Sequence, residues 1–276
     1  DFHRARGLPS YSEGVPNLEM GIDLVAALYR GLLSYAAILR ENGKANKAAL
    51  FEQKAAAYRK NIEKYWWDDK AKLYNTFYSN SGEFGKNEGE TFLLWFNALN
   101  DNERKQKTFE HLLHHKWNVE NMSYFPYIFY RNGYWDDAAR YMLLLTNPAT
   151  ERREYPEVSF GVVLGFVNGL MGIEPDARFN RVSTIYKTNS NVTCTLQNVP
   201  LLGGWITVKH QSYASVFTNR GLKKITWRAE FYGSRQHIII NGKAKKAVIT
   251  KDDAGKIFSY TDVPVRPGKT ATAIVQ

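Results

Sequence analysis

The sequence predicts an α plus β protein in which helical hairpins are followed by an antiparallel β-sandwich. Apolar residues recur at steps of three and four over the first part of the chain, and they alternate with polar residues from Phe179 onwards. The chain has 276 residues, of which 44% are hydrophobic, so it is long enough to bury the cores of two domains. We expect the boundary near Asp176, with domains over residues 1–176 and 177–276.

The first two predicted helices form an αα-hairpin. From Met20 to Leu39 the apolar residues have the spacing of a buried helix face. Gly43 interrupts this pattern, and a second helix rich in Ala, Lys and Glu is predicted from Ala45 to Trp66.

Shorter elements follow. The aromatic, alternating segment from Lys72 to Tyr78 predicts a brief extended stretch. Five further helices are expected at about 90–99, 102–115, 122–131, 135–146 and 158–171, and Gly172 ends the last one. Their unequal lengths exclude the fixed period of about 34 residues that tetratricopeptide repeats have.

Strands dominate the last hundred residues. The segments Trp205–Lys209, Lys224–Phe231 and Gln236–Ile240 alternate between apolar and polar residues. The pair Asn241-Gly242 then predicts a type I′ hairpin. Strands at a spacing of about ten residues are typical of an antiparallel sandwich.

The positive charge belongs to this second part alone. Residues 177–276 hold 16 Lys and Arg against 4 Asp and Glu, whereas residues 1–176 hold 21 against 23. A solvated basic face is the simplest interpretation, and attraction to an acidic glycan is the alternative. Nucleic acid is not expected as a partner. We expect no membrane span, because no apolar stretch reaches about 18 residues.

Several chemistries find no support. The single cysteine, Cys194, excludes an internal disulfide and a cysteine-rich metal site. His111, His114 and His115 have no carboxylate at metal-ligand spacing, so they are interpreted as a solvated helix end. The sequence contains no phosphate loop, dinucleotide fingerprint or G-x-S-x-G elbow. No cofactor and no metal are expected.

Five sequence blocks carry a family resemblance. The blocks Met20–Arg30, Phe51–Ile62 and Trp67–Tyr74 resemble the middle of the six-hairpin (α/α)6 glycoside hydrolases, which include trehalases and α-L-rhamnosidases. The blocks Tyr124–Leu145 and Ser159–Asp176, followed by a β-module, are more similar to the rhamnosidase branch. The resemblance implies an (α/α)6 barrel followed by a sandwich. A complete barrel has twelve helices, so the seven predicted here would be its later hairpins, completed by an upstream segment or a separate chain.

The resemblance implies an inverting glycosidase, which uses a carboxylic acid and a carboxylate base about 6.5–9.5 Å apart. It places the base shortly before the last barrel helix, where Thr150–Glu154 matches loosely. Glu151 is the first choice for the base and Glu154 the second. Glu157 falls where rhamnosidases keep a sugar-binding His, which makes it a candidate substrate contact. From the residues alone, such a run is as typical of surface ion pairs and helix N-terminal charges.

The general acid and the remaining substrate contacts are less defined. Asp1 resembles the acid of trehalases, whereas in a rhamnosidase-like alignment it lies on a substrate-lining loop and the acid is upstream. Tyr11, Glu13, Glu88 and Tyr124 lie in loops that precede predicted helices, and carboxylates with aromatic faces are typical of sugar sites. Helix capping or packing is the alternative role for each.

Three functions are therefore compared. The favoured one is a periplasmic or secreted glycosidase that cleaves a terminal bond of a poly- or oligosaccharide. The second is a polysaccharide lyase or uronyl hydrolase acting on an acidic glycan, for which Asn121, Tyr124 and either His114 or His115 would supply the groups. The third is a glycan-binding protein without catalysis.

Overall fold

The computed structural model describes residues 17–252 and 254–276, which separate into two compact units. Unit 1 ends at Asn118, and unit 2 comprises Val119–Gln276. Helix gives way to strand between Leu170 and Glu174, close to the predicted boundary. The later helices nevertheless form one compact unit with the strands. The boundary near 176 therefore marks a change of secondary structure, and its role as a domain boundary stays a prediction.

Unit 1 is mainly helical. Its elements are β1 (Leu18–Gly21), α1 (Ile22–Glu41), α2 (Ala45–Asn61), β2 (Trp67–Asp68), β3 (Leu73–Tyr74), β4 (Phe77–Ser79), β5 (Phe84–Gly85), α3 (Glu90–Trp95) and α4 (Asn102–His114). One π-helical turn, Ile62–Trp66, continues α2. The helices and the extended stretch predicted for this region are confirmed, although α3 ends earlier than expected.

The αα-hairpin of α1 and α2 is confirmed. Gly43 makes the turn with a φ of 71°, a left-handed conformation that favours glycine. Tyr35 meets Phe51 edge to face at 4.7 Å, and Arg40 forms an ion pair with Glu52 at 2.6 Å. The pairing is that of two adjacent, tightly connected helices.

Helix α1 is long and apolar enough to cross a membrane by length and composition alone. The core helix of a soluble protein passes the same test, and Ile22, Val25 and Ala26 on α1 are buried within unit 1. One such helix is weak evidence for a span, so the expectation of no membrane span stays a prediction.

Unit 2 begins with four helices. These are α5 (Val119–Met122), α6 (Phe125–Asn132), α7 (Trp135–Thr146) and α8 (Pro156–Leu164), and a π-helical turn, Gly165–Leu170, continues α8. The helices predicted here are confirmed. The short α5 was missed because four residues are too few to show a helical period. The described residues contain eight α-helices, and the twelve-helix barrel stays a prediction.

The strands of unit 2 form two sheets. They are β6 (Glu174–Asp176), β7 (Arg181–Ile185), β8 (Cys194–Leu201), β9 (Gly204–Gln211), β10 (Ala214–Asn219), β11 (Ile225–Tyr232), β12 (His237–Ile240), β13 (Lys243–Lys246), β14 (Val248–Lys251), β15 (Ile257–Val265) and β16 (Thr270–Ile274). The strand orders are β13-β12-β16-β10-β9-β8 and β14-β15-β11-β7-β6. Buried residues of both sheets share one core, in which Phe217 stacks on Trp227 at 5.4 Å. The α plus β class is thus confirmed, while the name sandwich stays an interpretation.

The strand directions correct one expectation. All pairs were expected to be antiparallel, but β7 and β11 run parallel. The chain between them forms β8, β9 and β10 in the other sheet, and a long excursion of this kind allows it to return in the same direction. The hairpin prediction is confirmed, since Asn241 and Gly242 have φ angles of 49° and 79° between β12 and β13.

A buried histidine connects the end of the helical segment to the sheets. His210 on β9 bonds through Nδ1 to Ser215 Oγ at 2.7 Å and through Nε2 to the backbone oxygen of Met171 at 3.1 Å. Burial lowers the pKa of His210 to about 4, so the ring is neutral near pH 7 and Nε2 donates to Met171. The residues that follow α8 are thereby fixed on the sheet.

Helix α8 contacts the end of α5 at backbone distance. A Cβ added to Gly161 would lie 2.0 Å from the carbonyl oxygen of Ser123, a distance too short for any side chain. Around this contact, Val119, Leu145 and Val158 bring α5, α7 and α8 into one apolar cluster. The absence of a side chain at residue 161 therefore allows α8 to pack directly on the backbone after α5.

We expect Gly161→Ala to lower the free energy of unfolding by about 1–3 kcal/mol, because overpacking outweighs the gain in helix propensity. Gly31→Ala is the control, since Gly31 lies on α1 with no atom within 4 Å of an added Cβ. This control should be neutral or stabilise by up to about 1 kcal/mol. Urea unfolding followed by circular dichroism measures both, and equal stability of the two variants would contradict the contact.

Candidate functional site

The predicted site residues are distributed over different parts of the chain. Asp1, Tyr11 and Glu13 lie outside the described residues. Glu88 lies in unit 1. Unit 2 holds four more, namely Tyr124, Glu151, Glu154 and Glu157.

The loop between α7 and α8, residues 147–155, carries Glu151 and Glu154. Its first half closes α7, because Asn147 Oδ1 accepts a hydrogen bond from Ala149 N at 2.9 Å. Thr150 donates through its backbone nitrogen to Asn147 O at 3.0 Å and through its hydroxyl to Leu144 O at 2.5 Å. The chain is thus held in a defined turn up to the residue before Glu151.

Arg152 holds the second half of the loop. Its backbone has a φ of 59°, a left-handed conformation that a residue with a side chain seldom adopts. Its Nη2 lies 2.7 Å from Glu120 Oε1, and its guanidinium lies 4.3 Å from the ring centre of Tyr155, whose hydroxyl it also hydrogen-bonds. Tyr155 packs on the apolar cluster of α5, α7 and α8. These contacts hold the backbone of Arg152 and therefore also that of its neighbours Glu151 and Arg153.

Glu151, Glu154 and Glu157 are all exposed. Glu157 occupies the first turn of α8, where a negative charge stabilises the helix. The ion pair of Arg152 with Glu120 is the type of surface contact that the alternative interpretation expected. The catalytic and substrate-binding roles expected of these carboxylates stay a prediction. Concavities of about 490 and 570 Å³ are lined by other residues.

Glu120 is a residue that the sequence did not single out. It is half-buried on α5, its Oε1 binds Arg152, and its Oε2 is buried with no hydrogen-bond partner in the described structure. A buried carboxylate oxygen without a partner is destabilising. The sequence contains no signal for Glu120, because α5 is too short to show a helical period and the partner, Arg152, lies 32 positions later.

Tyr124 is half-buried, and Glu157 acts on it electrostatically. Burial, assisted by the negative charge of Glu157, raises the pKa of the Tyr124 phenol. The phenol is therefore protonated at neutral pH. Two of the predicted substrate contacts in unit 2 thus lie close enough to influence each other.

A second cluster lies in unit 1, around the loop that ends in α3. Glu88 Oε1 accepts a hydrogen bond from Asn118 Nδ2 at 2.8 Å. Glu90 is only 3% exposed, and its Oε1 contacts His111 Nδ1. The hydrogen bond to Glu90 raises the pKa of His111, against the opposing effect of burial.

The prediction of a solvated histidine cluster is therefore correct only in part. His114 and His115 are exposed, as expected. For His111 the prediction is wrong, because Glu90, the first residue of α3, pairs with it from 21 positions earlier in the sequence. Within residues 17–252 and 254–276, no three His, Cys, Asp or Glu side chains are grouped so that they could hold a metal ion.

Comparison with known proteins agrees with the resemblance. The trehalase family model matches residues 12–129. An α-L-rhamnosidase from Dictyoglumus thermophilum shares the fold with a TM-score of 0.60 and 14% identity, over 99% of this chain and 33% of that chain. A GH78 family rhamnosidase of Bacillus sp. GL1 gives 0.54 and 15%, over 73% and 24%. No curated protein sequence matches the chain.

These matches confirm the resemblance to the six-hairpin glycosidase superfamily. The trehalase-like sequence covers the earlier helices, and the rhamnosidase fold covers nearly the whole chain. At identities this low, the two structures show a shared fold and no shared substrate. The chain spans about a third and a quarter of the two rhamnosidases, so the activity of a whole protein is a matter for proposal.

We expect the stability of unit 1 to fall as the pH rises through the raised pKa of His111. Protonated His111 stabilises the folded state, and its contribution is complete below about pH 6.5, the ordinary value for histidine. His111→Gln should remove this pH dependence, whereas His114→Gln, at an exposed position, should keep it. Imidazole NMR titration together with melting curves measures both. An unchanged pH dependence in His111→Gln would contradict the assignment.

Proposed function

We propose that the chain carries the later hairpins of a glycosidase, with the loop of residues 147–155 at its active site. The observation that carries this proposal is the pairing of a trehalase family match with a rhamnosidase fold over nearly the whole chain. The names of both groups denote enzymes that act on glycosidic bonds. The loop presents exposed carboxylates just before α8. The glycoside-hydrolase-like fold rests on these matches, and the reaction described below is the proposal.

In the proposed reaction, Glu151 acts as the general base, with Glu154 as the second candidate. The carboxylate takes a proton from a water molecule, whose oxygen then attacks the anomeric carbon and inverts its configuration. A carboxylic acid on the other side of the bond protonates the departing oxygen, at a separation of about 6.5–9.5 Å from the base. The acid would be Asp1 or an upstream residue, both outside the described structure.

Arg152 and Glu120 support this role by fixing the loop. A base must hold its water within about 0.5 Å of the productive position, and loops need supporting contacts to do this. The ion pair to Glu120 and the stacking on Tyr155 supply such contacts on the residue between the two carboxylate candidates. Arg152 also places a positive charge beside Glu151. These residues therefore position the base and do not react themselves.

Glu157 and Tyr124 are proposed to contact the carbohydrate, and the substrate contact expected of Glu88, in unit 1, stays a prediction. The protonated phenol of Tyr124 suits hydrogen bonding to a sugar hydroxyl, with Glu157 as an acceptor nearby. The same raised pKa counts against the lyase alternative. In that reaction a tyrosine must give up its proton to remove one from the substrate, and a lowered pKa would be needed.

The exposed surface of α7 and α8 supports the proposal of an upstream segment that completes a barrel. Phe160 and Val163 on α8 are 75% and 61% exposed, and Leu143 on α7 is 74% exposed. Apolar residues this exposed on neighbouring helices are typical of a surface that another element covers. The rhamnosidases of the same fold are about three to four times longer than the part that this chain matches.

We expect Glu151→Gln or Glu154→Gln to reduce kcat by about 10³-fold in the protein that includes this chain, because an amide cannot accept the proton from water. Activity would be measured on a panel of aryl glycosides and oligosaccharides. Glu174→Gln is the matched control, since Glu174 is an exposed glutamate of the same unit outside the loop, and it should leave kcat unchanged. Full activity in both loop variants, with folding intact, would exclude this loop as the site of the base.

A further inference from the structure

A groove on the two-sheet part of unit 2 is not used by the proposed reaction. It has a volume of about 570 Å³ and lies between the β8–β9 turn and residues 220–222. Its lining includes Trp205 and Leu222, whose side chains are 51% and 92% exposed. An indole face and a leucine this accessible form an apolar surface at the edge of a sheet, and Arg220 lies beside them.

The walls of the groove are held in place by close backbone contacts. A Cβ on Gly204 would lie 2.7 Å from the Cα of Gly221, so the two walls meet this closely because residue 204 has no side chain. Arg220 N donates to Trp205 O at 2.8 Å and connects the walls again. The groove is therefore formed before any ligand arrives.

The buried side chain of Asn219 fixes the second wall. Its Oδ1 accepts from Gly221 N at 2.9 Å, and its Nδ2 donates to Lys223 O at 2.8 Å and to Val265 O at 2.9 Å. Because both the oxygen and the nitrogen of this amide are hydrogen-bonded, the side chain fixes the turn that carries Arg220 and Leu222. A preformed turn loses little conformational entropy on binding.

The groove is lined by a basic residue and lies in a basic part of the sequence. No Asp or Glu occurs in residues 177–229, whereas Arg220 lines the groove and Lys223 and Lys224 come shortly after it in the sequence. Lys209 is exposed on the same strand as Trp205. Such a field attracts an acidic ligand, and a guanidinium binds a carboxylate with two parallel hydrogen bonds.

We propose that this groove binds a uronate-bearing glycan chain. The C–H face of one sugar ring stacks on Trp205 and contacts Leu222, and the carboxylate of a uronate pairs with Arg220. The choice of a glycan rests on the proposed function, but the groove, its apolar surface and its charge do not. Binding here would hold an acidic substrate on unit 2 independently of the carboxylates of the 147–155 loop.

A sugar chain fits the groove better than a nucleic acid does. Single-stranded nucleic acids bind to successive aromatic side chains, each of which stacks on one base. The groove offers one exposed aromatic ring, Trp205, with one guanidinium beside it. This arrangement matches a repeating unit with one hydrophobic face and one carboxylate.

The test measures binding of polygalacturonate to the full chain by calorimetry, with its methyl ester as the uncharged comparison. Trp205→Ala and Arg220→Gln should each weaken polygalacturonate binding by about tenfold, which is about 1.4 kcal/mol. Two controls match them. Tyr213→Ala removes an exposed aromatic residue of the β9–β10 turn, and Lys245→Gln removes a charge at the opposite edge of the sheet. Both should change the affinity less than twofold.

Other results would overturn the proposal. Equal affinity for polyglutamate, with no effect of Trp205→Ala, would mean that charge alone attracts the polymer. Tighter binding of oligothymidylate would assign the groove to nucleic acid, and a Trp205-dependent dimer in size-exclusion chromatography would make it an interface between copies. Because the readout is binding, polygalacturonate affinity that depends on Trp205 stands even if the Glu151 and Glu154 variants remain active.

Discussion

The contact between α8 and the residue after α5 determines the geometry of the candidate site. Gly161 lies against the carbonyl oxygen of Ser123, so α8 can pack this closely on the end of α5 only because residue 161 has no side chain. The loop that precedes α8 must then span from the end of α7 to this point, and it carries Glu151 and Glu154. Its course is completed by Arg152, which binds Glu120 on α5, and by Tyr155 in the apolar cluster. The close packing at Gly161 and the contacts of Arg152 thus hold the loop that carries two candidate catalytic groups.

Most of the elements could be predicted because their signals are local. Periodicity located α1, α2, α4 and α7, and the pair Asn241-Gly242 located the β12–β13 turn. The missed features depend on residues far apart in sequence. The parallel pairing of β7 with β11 is decided by which sheet receives the strands between them, and the packing of α5 to α8 with the sheets is decided by contacts such as that of His210 with Met171. Alternation and charge do not encode these choices.

The candidate site shows the same limit. The sequence located the acidic loop, because three glutamates before an apolar helix form a visible pattern. It did not reveal Glu120, whose partner Arg152 lies in another element, or the pairing of Glu90 with His111. Exposure also depends on tertiary structure. All three glutamates face solvent, and so do the apolar residues Leu143 on α7 and Phe160 on α8, an exposure that the sequence pattern does not reveal.

The central claim is a reaction in which water, activated by a carboxylate of this loop, displaces a sugar at its anomeric carbon. The most direct measurement follows the first product of the whole protein by NMR and mass spectrometry in water enriched in the heavy oxygen isotope. The account predicts one heavy oxygen at the anomeric carbon and a configuration opposite to that of the substrate. A product with retained configuration, or an unsaturated uronate without the isotope, would contradict it.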